Sequence, residues 1–295
     1  TGKLMHEVVP EEWAEFGNKP DYGPFWYRDG KRLAHPNVPE PYATIGAVDG
    51  SYGALEDVPP PEKRAKDEGW IYGKWAKTPE RLLLRNGTDR DPTPDERNAA
   101  WMVQKLDELA KADEGRPFLL GVGFVRPHTP LVVPRRYFDM FPLKDVQLPV
   151  RKEGDNEDTG LKDVVNEHAK GPMYFRMLRE SYAGTLEGLR AFTQAYLAAI
   201  AAVDDCIGRV IDALDRSPFR DNTIVVVTSD HGWNMGEKDW LFKMALWEES
   251  CRVPLIIRAP GVARAGGKAG HPVALIDLYP TLADLCGLAG DTRKN

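Results

Sequence analysis

The sequence predicts an α/β layered fold, with a largely parallel central sheet flanked by helices. Three observations carry that prediction. The β-branched run Ile224-Val225-Val226-Val227 reads as a strand buried on both faces. It leads into Ser229-Asp230-His231-Gly232, a polar cluster at a strand's carboxyl end, where open α/β sheets place their ligand sites. Helical and strand-like segments then alternate as helix–strand–loop, helix–strand–loop, strand, helix.

Taken in order, residues 1–92 hold few periodic segments and many Pro, Gly, Trp and Tyr. They read as long, ordered loops with short strands, because a disordered linker would carry fewer aromatics. Thr93-Pro94-Asp95-Glu96 is a helix start, with Thr93 as N-cap, Pro94 in the first helical position and Glu96 closing a capping box. Ala99, Met102, Val103, Leu106, Leu109 and Ala110 follow at helical spacing, and Gly115 ends the helix. Phe118 to Phe124 is a buried-strand candidate feeding the loop Arg126-Pro127-His128-Thr129-Pro130. Residues 144–172 are polar and read as a surface excursion. From Gly188 to Leu214 a long helix carries Leu189, Phe192, Tyr196, Ile200, Val203, Ile207, Val210, Ile211 and Leu214 on one face, and Ser217-Pro218 stops it. Val253 to Ile257 is a further strand, and Leu275 to Leu285 a final amphipathic helix.

Composition narrows the function classes. Across 295 residues, 42% are apolar and 28% charged, ordinary for a globular protein with a large core. A net charge of −6 argues against a nucleic-acid binder, since phosphate contacts need an excess of Lys and Arg. It leaves room for an anionic substrate in a locally basic pocket. The three cysteines, Cys206, Cys251 and Cys286, lack disulfide-framework or metal spacing and read as ordinary core thiols. No apolar run approaches the roughly 20 residues of a membrane span. Asn86-Gly87-Thr88 is one glycosylation sequon, relevant only to a secreted protein.

Asp230 and His231 are candidate metal ligands, an oxygen suited to a hard cation beside an imidazole that widens the choice. On the dipeptide alone an exposed polar turn serves equally well. His128 lies in a loop stiffened by Pro127 and Pro130. A lone loop histidine is more often surface, but this one follows a predicted strand as Asp230 does. Lys243, amid Trp240, Phe242, Met244 and Trp247, reads as a partly buried ammonium that needs a counter-anion, and a bound anionic substrate would supply one. Lys3 and His6 form a further cation–imidazole pair, uninformative when taken alone. Trp13, Phe25, Trp26, Tyr27, Trp70 and Trp75 suit sugar stacking and loop packing equally well.

Together, Gly2-Lys3 with His6, Arg126-Pro127-His128-Thr129-Pro130, Ser229-Asp230-His231-Gly232, Lys243, Trp247 to Ile256, and Asp277-Leu278-Tyr279-Pro280-Thr281-Leu282 resemble the type I sulfatases. These are formylglycine-dependent enzymes of the alkaline phosphatase superfamily, and the pattern is similar to their iduronate-2-sulfatase-like branch. The resemblance implies hydrolysis of a sulfate ester on a sugar or polysaccharide, with one divalent cation, usually Ca²⁺. It makes Asp230 and His231 metal ligands, has Lys3 and His6 hold the formylglycine hydrate, and has His128 and Lys243 bind sulfate oxygens and help protonate the leaving alkoxide. A periplasmic or secreted location goes with the family. Two superfamily alternatives are a phosphomonoester or phosphonate monoester hydrolase and a non-catalytic protein that binds sulfated glycans.

No cysteine or serine heads the family's Cys/Ser-x-Pro-x-Arg nucleophile motif; Ser217-Pro218-Phe219-Arg220 has the wrong spacing. The expectation is therefore a catalytic domain over 1–290 lacking its nucleophile-bearing N-terminal part, a tail over 291–295, and a missing C-terminal subdomain. Such a chain would be inactive alone and would need a complementary N-terminal piece.

Overall fold

The computed structural model describes residues 1–4, 13–65, 67–73, 79–112, 115–152, 154–157, 159–160 and 169–288. His6, Trp75 and the 291–295 tail lie outside the described residues. The chain divides into two units: Thr1–Pro218 with Met235–Leu241, and Phe219–Asn234 with Phe242–Asn295.

In the first unit, Phe25–Arg28 (β1) and Lys31–Leu33 (β2) form an antiparallel hairpin. Asp29 and Gly30 turn it with φ of 51° and 76°, the left-handed pair that a tight hairpin turn needs. Tyr52–Ala54 (β3) pairs in parallel with a later strand, and Gly69–Ile71 (β4) adds to the other edge of β1, giving the order β2–β1–β4. Register places Trp26 opposite Trp70, and their rings meet edge to face at 5.2 Å. Leu55, Tyr72, Leu82, Leu84 and Val132 close a core around them. Burying an indole withdraws roughly 200 Å² from water, a gross gain of about 5 kcal/mol. Phe25, Trp26 and Trp70 are thus loop-packing core, and the Trp70 indole is satisfied by donating to Leu55 O at 3.0 Å.

Pro94–Ala112 (α1) starts as its sequence requires. The Thr93 amide donates to Glu96 Oε2 at 2.7 Å, and the Glu96 amide donates to Thr93 Oγ1 at 3.4 Å. Leu131–Val133 (β5) is the parallel partner of β3 and is followed by the short helix Arg135–Phe138 (α2). Lys170–Glu180 (α3) stands at the end of the predicted polar excursion and buries Tyr174, Phe175 and Leu178. Thr185–Arg216 (α4) packs on β3, β5, α1, α2 and α3. Its most buried face runs through Leu189, Phe192, Ala195, Ala198, Ala199 and Cys206, while Ile200 of the predicted stripe is exposed. Small alanines there let neighbouring backbone approach, a choice that hydropathy alone does not flag.

Phe118 to Phe124 does not become a buried strand. Its one bridge joins Gly123 to Gly2, and Leu119 is 81% exposed.

In the second unit, Val225–Thr228 (β6) leads to Asp230-His231 as predicted. It is half-buried and pairs antiparallel with Leu255–Arg258 (β9), rather than lying buried between parallel neighbours. A four-residue apolar run cannot by itself specify the direction of its partner. The two-residue strands Asn234–Met235 (β7) and Leu241–Phe242 (β8) pair with each other. Glu248–Cys251 (α5) follows. The predicted last helix appears as a 3₁₀ turn, Leu275–Asp277, running into Leu278–Leu285 (α6), none of whose side chains is buried. No described helix is long and apolar enough to cross a membrane.

Candidate active site

In the first unit the site is built from the loop after Gly123. The Lys3 amide donates to Gly123 O at 2.9 Å and the Gly123 amide to Thr1 O at 3.0 Å. A Cβ on Gly123 would lie 2.1 Å from Lys3 backbone atoms, so only glycine admits this approach. The chain then reaches Val125 and Arg126, whose amides donate to the Asp95 carboxylate at 2.8 and 3.0 Å. Asp95 sits in the first turn of α1, where a carboxylate complements the helix dipole. Burial raises its pKa, opposed by the Arg126 charge and the two amide donors. The buried Arg126 guanidinium donates to Gly23 O at 2.8 Å and to Tyr22 O at 3.4 Å.

His128 is consequently held on a fixed loop. Its amide donates to Val125 O at 2.8 Å, and its Nδ1 is 2.7 Å from Thr129 O. A carbonyl can only accept, so Nδ1 carries the proton and Nε2 is the basic nitrogen of the neutral ring. Thr129 Oγ1 donates to Asp49 Oδ1 at 3.0 Å, tying the loop down from its other side. Lys3 and His128 meet on one side chain that the sequence did not single out. Lys3 Nζ lies 5.0 Å from the Tyr22 ring centroid, and the His128 ring packs edge-on against Tyr22 at 5.2 Å.

In the second unit Asp230, His231 and Lys243 gather. Lys243 Nζ is 2.8 Å from His231 Nε2, and Asp230 Oδ1 is 3.8 Å from the same nitrogen. His231 Nδ1 faces Gly232 O at 2.7 Å, which places the ring proton on Nδ1 and makes Nε2 the acceptor for the lysine. The turn is fixed against α5: the Gly232 amide donates to Ser250 O at 2.8 Å, and a Cβ on Gly232 would lie 2.1 Å from Glu249 O. The His231 ring stacks on Trp233 at 6.4 Å, and Trp233 packs on Phe242 at 4.6 Å. Lys243 is flanked by Phe242 and Met244 with φ of 68° and 71°, left-handed conformations that cost of order 1–3 kcal/mol each and cluster at functional sites. The sequence expectation that Lys243 is partly buried holds. Its neighbours include an imidazole and, beyond it, a carboxylate.

The donor set admits a divalent cation in part. A carboxylate oxygen and an imidazole nitrogen on one edge are donors of the right kind, with His231 Nδ1 anchored as a ligating ring requires. Among the described residues no group of three or more His, Cys, Asp or Glu side chains could hold a metal. Asp230 and His231 therefore supply two donors, and Lys243 shares the nitrogen.

Comparison with known proteins gives the family. The family model "Sulfatase" matches residues 55–288. A sulfatase of Formosa agariphila is 35% identical over 269 residues, covering 86% of this chain and 49% of that protein. An arylsulfatase of Clostridium perfringens is 35% identical over 198 residues, covering 64% of this chain and 38% of that protein. The chain thus spans about half, or less, of the length of these curated relatives. Among solved structures, a phosphonate monoester hydrolase from Silicibacter pomeroyi superposes with a TM-score of 0.51 at 29% identity, over 66% of this chain and 39% of that one. The α/β architecture is therefore that of the alkaline-phosphatase-like enzymes, and the chain belongs to the sulfatase family.

Proposed function

We propose that the protein carrying this chain hydrolyses a sulfate ester, with a sulfated sugar or polysaccharide as substrate. The observation that supports this most is the convergence of Asp230, His231 and Lys243 within 4 Å of one ring nitrogen in a sulfatase-family chain. Asp230 and His231 would hold a divalent cation, Ca²⁺ by family. Such an ion polarises a sulfuryl oxygen and stabilises charge on the ester without proton transfer. Lys243 would bind a sulfate oxygen through its ammonium, which a strained backbone holds in place. Lys3 and His6 would orient the formylglycine hydrate. His128, with its proton on Nδ1, would gain a second at Nε2 and deliver it to the leaving alkoxide, a poor leaving group unless protonated.

No residue of the 295 lies in a Cys/Ser-x-Pro-x-Arg motif. The nucleophile is accordingly proposed to come from a complementary piece, and the chain alone to be inactive. The ordered set of motifs from Gly2-Lys3 to Asp277-Leu278-Tyr279-Pro280 is the support for the iduronate-2-sulfatase-like branch.

The test is turnover of an aryl sulfate and of sulfated sugars by the complete protein. Asp230→Ala, His128→Ala and Lys243→Ala should each lower kcat/KM by about 10²–10⁴, and a chelator should abolish turnover. Faster cleavage of phosphonate monoesters than of sulfate esters would move the reading to the phosphonate hydrolases. Glycan binding without any turnover would sink the enzymatic reading.

A further inference from the structure

We propose that Tyr22 is the positioning residue of the first-unit cluster, holding the Lys3 ammonium and the His128 imidazole on one ring. The inference rests on the sulfatase reading above and adds to it that the Lys3 ammonium, beside the hydrate, also attracts the bound sulfate. Three observations carry it. Lys3 Nζ lies 5.0 Å from the ring centroid, within cation–π range. The His128 ring meets the same ring at 5.2 Å and 81°, the edge-to-face arrangement that aromatic pairs favour. The backbone beneath the ring is held from two sides. The buried Arg126 guanidinium caps the Tyr22 and Gly23 carbonyls, and Asp21 accepts the Gly23 amide at 2.7 Å and the Gly73 amide at 2.9 Å. Arg126 is also two residues before His128, so one buried cation sets both the ring and the loop that leans on it.

Lys3 and His128 belong to separate segments, and the lysine side chain in particular is long and rotatable. Each would lose conformational freedom on gripping an anion. A shared aromatic surface takes up part of that ordering in advance, as preorganised sites do. It also makes the two groups interdependent, because both register against the same face and edge. The contribution needs the ring and does not need its hydroxyl.

The experiment is an NMR titration of the complete protein that carries this chain with inorganic sulfate. Tyr22→Phe should bind within about twofold of wild type, and Tyr22→Leu about three- to tenfold more weakly. Lys3→Ala and His128→Ala should be coupled with the ring present, the double variant departing at least about threefold from the product of the single effects. In the Tyr22→Leu background that coupling should vanish. A merely structural tyrosine would leave the coupling intact. The Lys3 ε-methylene protons provide a readout that does not depend on the leucine variant folding: they should be ring-shifted upfield in wild type and Tyr22→Phe. Unshifted Lys3 methylenes, or sulfate binding that Tyr22→Leu leaves unchanged, overturns the role of Tyr22 alone. Absence of any saturable sulfate binding by the complete wild-type protein overturns the sulfatase reading of the cluster as well.

Discussion

His35 should make the first unit lose stability as pH falls below neutrality, by an amount the structure allows to be worked out. The ring is 1% exposed and packs against Gly53 and Trp70. The Asn37 amide, which can only donate, points at Nδ1 from 3.1 Å, so Nδ1 is bare. Nε2 therefore carries the proton and donates to Ala54 O at 2.9 Å. Both nitrogens are satisfied in the neutral form, and a second proton would be forced against an N–H donor. Burial, helped by the Arg135 charge and opposed by the Ala54 carbonyl, pushes the pKa down from 6.5 to about 4. The unfolded chain takes up this proton near 6.5 and the folded one resists until about 4, so the stabilisation is present above the unfolded value and is lost as pH falls between the two. A gap of 2.5 units at about 1.4 kcal/mol each gives about 3 kcal/mol in all, of which about 2 kcal/mol disappears between roughly pH 7 and pH 5. Urea unfolding, followed through the Trp70 indole N–H resonance within the same core, reads this directly. Wild type should lose about 2 kcal/mol more than His35→Gln over that pH range. Equal slopes in the two proteins, or a His35 ring that titrates near its ordinary value, would refute the argument.

The start of α1 offers a second test. Thr93→Ala removes one capping bond and should cost about 1 kcal/mol. Glu96→Ala should cost more, about 2–3 kcal/mol, because it also strands the partly buried Arg90, whose guanidinium donates to both Glu96 oxygens at 2.7 Å; equal losses in urea unfolding would contradict this ranking. Cysteine chemistry offers a third. Cys206 is buried and its thiol is pushed up to about 12, first by burial and then by nearby carboxylates, while Cys251 and Cys286 are exposed. A maleimide should add twice to the native chain, as read by mass spectrometry, and should reach Cys206 only on unfolding; three equally fast adducts would refute that.

The capping box at Thr93, the long helix over 185–216 and the strand that leads to Asp230 were all legible in the sequence, because each depends on residues near one another in the chain. The residue types that gather in each unit, Lys3 with His128 and Asp230 with His231 and Lys243, were also legible from their motifs. The α3 helix was less so, since Tyr174, Phe175 and Leu178 sit at the end of a polar stretch that masks a short apolar stripe. The direction of the partner of β6 was not legible either, because an apolar run specifies burial and leaves its neighbour open.

Local chemistry thus told which residues could act, and the tertiary structure decided how they are held. Tyr22 looks like any loop tyrosine until Arg126, 104 positions away, caps its carbonyl. Asp95 looks like an ordinary first-turn acid until the amides of Val125 and Arg126 close on it. Lys243 reads as a lysine seeking an anion until His231 Nε2 is found 2.8 Å away. Each depends on contacts between distant segments, and those contacts exist only once burial has brought the segments together.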